Sequence, residues 1–366
     1  MSEWRRVQLS DLLTFGNGKR KPSTSGDIPI YGGNGILGFS NESNYQGETI
    51  IIGRVGAYCG SVYYETKPIW VSDNALSAKP KSDNNLRFLY YFLKKVELNQ
   101  YASGSSHPLV TQTLLNSLEF NICTNPDEQK AIAEVLSSLD DKIDLLHRQN
   151  KTLEQMAETL FRQWFVEDAQ DDWEDGCIQD IAEFNPQYLL KKGAFSTYVE
   201  MKSLSTTTFK PEGYYKRAFT SGMKFKNGDT LLARITPCLE NGKTAFITML
   251  KKDEIGWGST EYIVMRMKPG YHLFISYVIA KDKEFRDFAI GSMTGSSGRQ
   301  RAQAAVIETY KMKIPPKKVV IKINNQFKGI VEKLIVNSTQ IRTLESLRDT
   351  LLPKLMSGKI RVSFNN

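Results

Sequence analysis

Four short strings carry residue types that could do chemistry. Phe15-Gly16-Asn17-Gly18 has the form of the F-x-G-x-G cofactor loop of methyltransferases, and Asn185-Pro186-Gln187-Tyr188 approaches their D/N-P-P-Y active-site loop. Gly16-x-Gly18-Lys19 approaches a phosphate loop, and Glu65-Thr66-Lys67 matches the E-x-K of many nucleases. Each fails on its own terms. Gln187 stands where the second proline belongs, and the glycines lack the G-x-x-x-x-G-K-[ST] spacing that wraps phosphates. A three-residue E-x-K match is expected by chance in a chain of 366 residues. Cys59, Cys123, Cys177 and Cys238 are far apart, and no histidine sits at ligand spacing from them, so a metal centre has no donor set. His107, His147 and His272 are equally scattered and offer no histidine-based catalytic centre.

The elements that must position these residues settle the matter, because the chain is a duplication. Trp4, Leu9, Asp11, Leu12 and Phe15 recur in order and spacing as Trp173, Ile178, Asp180, Ile181 and Phe184. Gly47-Glu48-Thr49-Ile50-Ile51 returns as Gly228-Asp229-Thr230-Leu231-Leu232, and Ser103-Gly104-Ser105-Ser106 returns as Thr294-Gly295-Ser296-Ser297. A period this long is a duplicated domain, not a solenoid repeat. Phe15–Gly18 and Phe184–Gln187 are then one element in two copies, which cannot be a cofactor loop in one and a catalytic loop in the other.

Copy one spans residues 1–125 and copy two residues 169–317, both with short β-rich runs followed by a helical stretch, at Arg87–Leu98 and Leu273–Lys281. Residues 126–168 form a long helix starting after Pro126 and Asp127. Its seam places Ile132, Leu139, Leu146, Leu153 and Leu160 on one heptad position and Leu136, Ile143, Asn150, Ala157 and Trp164 on the other. The seam holds for about five heptads, a rod of more than ~50 Å at 1.5 Å per residue. Residues 318–366 hold a second seam: Phe327, Leu334, Ile341 and Leu355 on one line, Ile330, Asn337, Leu344 and Leu351 on the other. Arg348 interrupts it, and Pro353 should kink or fray its end. Neither apolar stripe can stay exposed, so the rods must pack together, and the pseudo-twofold symmetry of a duplication demands that they run antiparallel. Centring them on residues 146 and 341 places Asn150 opposite Asn337, a polar pair that fixes coiled-coil register. The same symmetry expects the two termini to lie near each other, so that circular permutation is tolerated.

A formal charge of +8 and a pI near 9.1 lean toward a polyanionic partner. No apolar run approaches the ~20 residues of a membrane span, and no signal-peptide core is present, so a cytoplasmic, membrane-free protein is expected. The polar and basic residues at matched positions are the candidates for reading DNA. In copy one these are Lys21, the Tyr31-Gly32-Gly33-Asn34-Gly35 loop, Arg54, Ser72, Asn74, Ser105 and Ser106. In copy two they are Arg234, Trp257, Ser259, Glu261, Ser296, Ser297, Arg299 and Arg301. Gly33 permits close backbone approach, while Tyr31 and Asn34 can stack or hydrogen-bond. Arg54 and Arg234 end equivalent β runs, and arginine suits guanine or phosphate. At the next matched site the copies differ: Asn74 favours adenine and Glu261 cytosine. Serines after the glycine turn position phosphates, and Arg299 and Arg301 could clamp backbone or read bases.

With these pieces assembled, the chain resembles the specificity subunit of a type I restriction-modification system. The carrying segments are Gly104-Ser105-Ser106 through Glu128-Gln129-Lys130 into Ile132, and Leu153-Glu154-Gln155-Met156-Ala157 to Phe161 and Trp164-Phe165. Leu344-Glu345-Ser346-Leu347-Arg348 to Leu355-Met356-Ser357-Gly358 and the Tyr31–Gly35 loop add to it. The resemblance implies an α+β fold, with two pseudo-twofold-related mixed α/β target-recognition domains separated by two long antiparallel coiled-coil helices. It implies that each domain reads half of a split site in double-stranded DNA while the helices set the gap. It further implies a non-catalytic chain without its own cofactor, assembled with two modification (methyltransferase) subunits that hold S-adenosylmethionine. Restriction (motor-nuclease) subunits using ATP and magnesium complete the implied complex. Copy two departs from the pattern, since Lys317–Asn324 is basic and lacks the acidic-glutamine lead into its helix. The competing readings are a coiled-coil scaffold with two partner-binding domains and a self-contained DNA methyltransferase.

Overall fold

Asn125 starts the first long helix. Its Oδ1 accepts the Asp127 and Glu128 backbone N–H groups at 2.8 and 3.0 Å, with Pro126 at the first helical position, where its missing donor is not needed. In a computed structural model, which describes residues 4–104, 108–296 and 298–362, this helix runs Pro126–Arg162 and passes into a π turn at Gln163–Glu167. The second long helix runs Lys317–Leu355. It begins directly after Pro315 and Pro316, whose fixed backbone stops the preceding strand. Pro353 lies within it, and the helix ends two residues later.

The chain divides into two units, Met1–Asp144 with Arg342–Asn366, and Leu145–Ile341. Each takes one copy of the duplicated domain together with a segment of each long helix. Within the first unit, Glu128 meets Arg361 and Asp140 meets Arg348, so the helical segments run antiparallel. Within the second, Gln149 and Asn150 meet Asn337.

Both copies build the same three sheets. Trp4–Gln8 pairs antiparallel with Glu119–Cys123 as Glu174–Cys177 does with Lys311–Ile314. A four-stranded sheet follows in the spatial order Leu13–Asn17, Ala75–Pro80, Thr49–Gly53, Val62–Glu65. Its counterpart is Ala182–Phe184, Tyr262–Met267, Thr230–Ala233, Thr244–Phe246. Phe15 faces Ala78 and Phe184 faces Met265 in these registers, so the two decoy strings start from the same strand of the two copies. The third sheet orders Gly35–Ser40, Ile28–Gly32, Trp70–Val71 in copy one. Copy two orders it Tyr215–Ala218, Phe195–Val199, Gly256–Gly258, and adds the edge strand Lys224–Phe225.

The central strands Thr49–Gly53 and Thr230–Ala233 are buried along their whole length, as β-branched and leucine runs covered on both faces must be. Leu86–Val96 lays Phe88, Leu89, Phe92 and Leu93 on the sheet of copy one, with Asn85 capping at Phe88 N–H. In the first unit, Ile132, Leu136 and Leu355 of the long helices join this same core. In the second, Ala157, Phe161, Phe327, Ile330 and Leu334 join the core around Ile263 and Phe274. The heptad seam is therefore continuous with the domain interiors. Leu334 is fully buried there, and truncating it to alanine should destabilise by about 2–5 kcal/mol.

The acidic-glutamine lead has a structural use. Gln129 spends its whole buried amide on Cys123 O, Asn84 Oδ1 and the Asn85 N–H, tying the helix start to the domain. Glu128 takes both the Arg361 guanidinium and the Trp4 indole N–H at 3.3 Å, so the first described strand and the last described residues meet.

Candidate nucleic-acid interface

Arg54 leaves the end of its strand at the centre of a small backbone lattice. Its N–H donates to Asn74 O at 3.0 Å, and its carbonyl accepts the Val110 N–H at 2.9 Å. Bridges from Val55 and Ser103 to Leu109 complete it. The same lattice surrounds Arg234, whose N–H donates to Glu261 O at 3.0 Å and whose carbonyl accepts the Ala302 N–H at 2.8 Å. Bridges from Ile235 and Thr294 fall on Arg301. Asn74 and Glu261 are therefore equivalent, as are Leu109 and Arg301, and the substitutions between the copies fall where three chain segments converge.

Glycine explains the close approach in copy one. A Cβ on Gly53 would stand 2.5 Å from Gly33 O, and one on Gly33 would stand 3.0 Å from Val55 O. The Tyr31–Gly35 loop thus lies directly against the arginine turn. Asn34 and Asn74 are exposed beside it, and Lys21 is exposed near Gly38. Arg54 Nε is buried without a hydrogen-bond partner, and no carboxylate among the described residues pairs with this side chain.

Copy two is wired differently. Glu261 Oε1 and Oε2 both accept Arg301 Nε–H at 2.9 Å, and Arg234 Nε lies 3.8 Å from Oε2. Arg301 Nη1 also donates to Arg299 O at 3.2 Å. Arg299 and Ser296 are exposed.

Five of the sequence candidates face inward or are already engaged. Tyr31 is buried against Tyr63 and donates its hydroxyl to Glu65 Oε1 at 2.6 Å; burial and that hydrogen bond push its pKa up. It supports the loop and cannot stack on a base. Ser72 is buried, and its Oγ accepts the Asn74 N–H, just as half-buried Ser259 Oγ accepts the Glu261 N–H at 3.0 Å. Both serines shape the turn that presents the next residue. Trp257 is buried and donates to Arg217 O, so it is an anchor under the sheet. Glu261 has its carboxylate committed to arginine, which removes the free acceptor a cytosine reader needs. Ser105, Ser106 and Ser297 lie outside the described residues.

Sequence reasoning missed two exposed groups. Ile36, Leu37 and Phe39 follow Asn34 on an exposed strand, and Tyr58 follows the Arg54 turn at 56% exposure. In copy two, Arg217 lies over both the Tyr198 and Trp257 rings, with Phe195 and Tyr215 exposed nearby in the same sheet. The signal was the Tyr214-Tyr215-Lys216-Arg217 string, an interleaving of aromatics and cations. Lys216 is braced by Glu254, whose carboxyl is pulled down to about 2 against the effect of its burial by hydrogen bonds from Lys216 and Thr197.

Residues 1–155 match the family described as the type I restriction modification DNA specificity domain. Over 331 residues the chain is 24% identical to the type I restriction enzyme MjaIX specificity subunit of Methanocaldococcus jannaschii, covering 83% of this chain and 76% of that one. Residues 1–155 thus carry a type I specificity domain, and the chain as a whole is similar to type I specificity subunits. A shorter stretch of 140 residues is 32% identical to the EcoprrI specificity subunit of Escherichia coli, covering 38% of this chain and 35% of that protein. The fold of this chain is shared with the crystal structure of a type I restriction-modification S subunit from M. genitalium. That likeness has a TM-score of 0.64 at 17% identity over 99% of this chain and 97% of the other. Among the described residues of the chain, no helix is long and apolar enough to cross a membrane.

Proposed function

We propose that this chain is a specificity subunit that binds double-stranded DNA at a two-part sequence, one half read by residues 1–125 and the other by residues 169–317. The helices at 126–168 and 318–366 set the number of unread base pairs between the halves. The chain performs no catalysis; it addresses a complex whose modification subunits methylate the site. The observation that carries this reading is the arginine-centred lattice, repeated on one topology with different neighbours: Asn74 and Leu109 in one copy, Glu261 and Arg301 in the other. A duplicated structural frame with altered side chains at its convergence point is what two readers of different half-sites require. Self-contained methyltransferase and scaffold readings find no support in the family match.

In this reading Lys21, Asn34, Arg54, Asn74, Arg234, Arg299 and Arg301 supply the contacts, with Ser296 at the following turn. Two modification subunits hold S-adenosylmethionine, and restriction subunits use ATP and magnesium. Mapping methylated adenines in genomes with and without the gene tests the function: a two-part motif should vanish with it. Deleting one heptad from both helices should change the gap and leave the half-sites intact, and an unchanged gap removes the helices from that role.

A further inference from the structure

Glu261 lies 40 residues from Arg301 in the chain, yet both its carboxylate oxygens are committed to that guanidinium, with Arg301 Nη2 also 2.9 Å from Oε1. The Glu261 N–H is fixed by Ser259, and its carbonyl is fixed by the Arg234 N–H. The carboxylate therefore sits on a pinned backbone and grips the Nε edge of Arg301. The Arg301 side chain keeps 38% of its surface exposed. A bare carboxylate facing a phosphate-lined groove would be repelled; one neutralised by two arginines is not.

We propose that Glu261 is a positioning residue, which holds Arg301 so that its outer nitrogens meet the paired acceptors of a guanine in the copy-two half-site. Guanine presents O6 and N7 in the major groove, and a forked guanidinium matches that pair. Clamping one edge of the fork removes much of the rotamer freedom a long side chain would otherwise lose on binding. Copy one lacks the device at the equivalent positions, where Leu109 replaces Arg301 and an exposed Asn74 amide replaces the carboxylate. The inference rests on the two-reader function above, and it replaces cytosine by guanine as the partner of this position.

The test uses the full chain assembled with its modification subunits, with methylation scored across a randomised DNA library for the unaltered chain, Glu261→Gln, Arg301→Leu and the double variant. Glu261→Gln and Arg301→Leu should relax the same single G·C pair in one half-site, by roughly 5- to 150-fold in discrimination. The double variant should be no worse than Arg301→Leu, and the other half-site should stay intact. Relaxation of a different base pair by Glu261→Gln alone would overturn the inference in favour of direct readout by the carboxylate. A lowered thermal midpoint with the half-site read unchanged would overturn it in favour of a structural staple. Uniform weakening of all sequences by Arg301→Leu, with a shallower salt dependence, would overturn it in favour of a phosphate contact. Failure of the unaltered complex to yield any two-part motif would instead sink the underlying function.

Discussion

Asn337 Nδ2 donates to Asn150 Oδ1 at 2.9 Å, between two antiparallel helical segments of one unit, with both side chains buried in an otherwise apolar seam. Asn337 Nδ2 also reaches Gln149 Oε1 at 3.4 Å, while Asn337 Oδ1 is buried without a partner. A pair like this is a poor source of stability and a strong constraint on alignment. A slip of one heptad would leave each amide facing an apolar side chain, Ile330 or Leu344 opposite Asn150 and Ile143 or Ala157 opposite Asn337.

Replacing one asparagine by leucine should therefore destabilise by about 1–3 kcal/mol, because the remaining amide is stranded. Replacing both should recover that loss or exceed it, while allowing other registers. Urea unfolding gives the energies. Cysteine pairs placed across the helices read the register, and a double leucine variant that cross-links in one register only would remove the asparagines from that role.

Glu154 supplies a pH dependence. It is buried on the first long helix, accepting the Phe209 N–H at 3.2 Å and the Tyr277 hydroxyl at 2.8 Å, and burial pushes its carboxyl up to about 7 despite those hydrogen bonds. The folded state thus holds this proton more tightly than the unfolded chain, whose ordinary value is 4.5. Its contribution is full below about pH 4.5 and is lost as pH rises through 7, a change of roughly 3 kcal/mol. His272 opposes it, since burial lowers its pKa and favours folding as pH rises. Stability of Glu154→Gln minus that of the unaltered chain should rise between pH 5 and 8; a flat difference contradicts the assignment.

Arg348, which breaks the leucine pattern of the second helix, donates to Asp140 Oδ1 at 2.9 Å, and Tyr91 donates to Asp140 Oδ2 at 2.7 Å. Arg348→Met should destabilise by about 3 kcal/mol because Asp140 is left largely buried and half-satisfied. Adding Asp140→Leu should return most of that loss. Thermal unfolding of the two variants decides whether the pair or the packing matters.

Arg54 has no carboxylate to hold it among the described residues, unlike Arg234. Arg54→Ala should weaken only one half-site, by about 1–3 kcal/mol, if the side chain meets a base. An equal loss on every sequence, with a salt slope shallower by about one, would make it a phosphate contact. Competition binding at two salt concentrations separates these outcomes.

The sequence by itself determined the duplication, the helix seams and the meeting of Asn150 with Asn337, because heptad spacing and the symmetry of two copies are local or self-referential signals. Arg54 and Arg234 were likewise legible as one position seen twice. The tertiary structure alone decided which candidates can be reached. Tyr31, Ser72 and Trp257 look like readers in a string of letters, yet strand pairing turns them inward. The partner that changes the meaning of Glu261 arrives from a loop 40 residues away. Burial and ion pairing are set by which segments converge, and that depends on sheet register and loop closure across the whole domain, which no local pattern encodes.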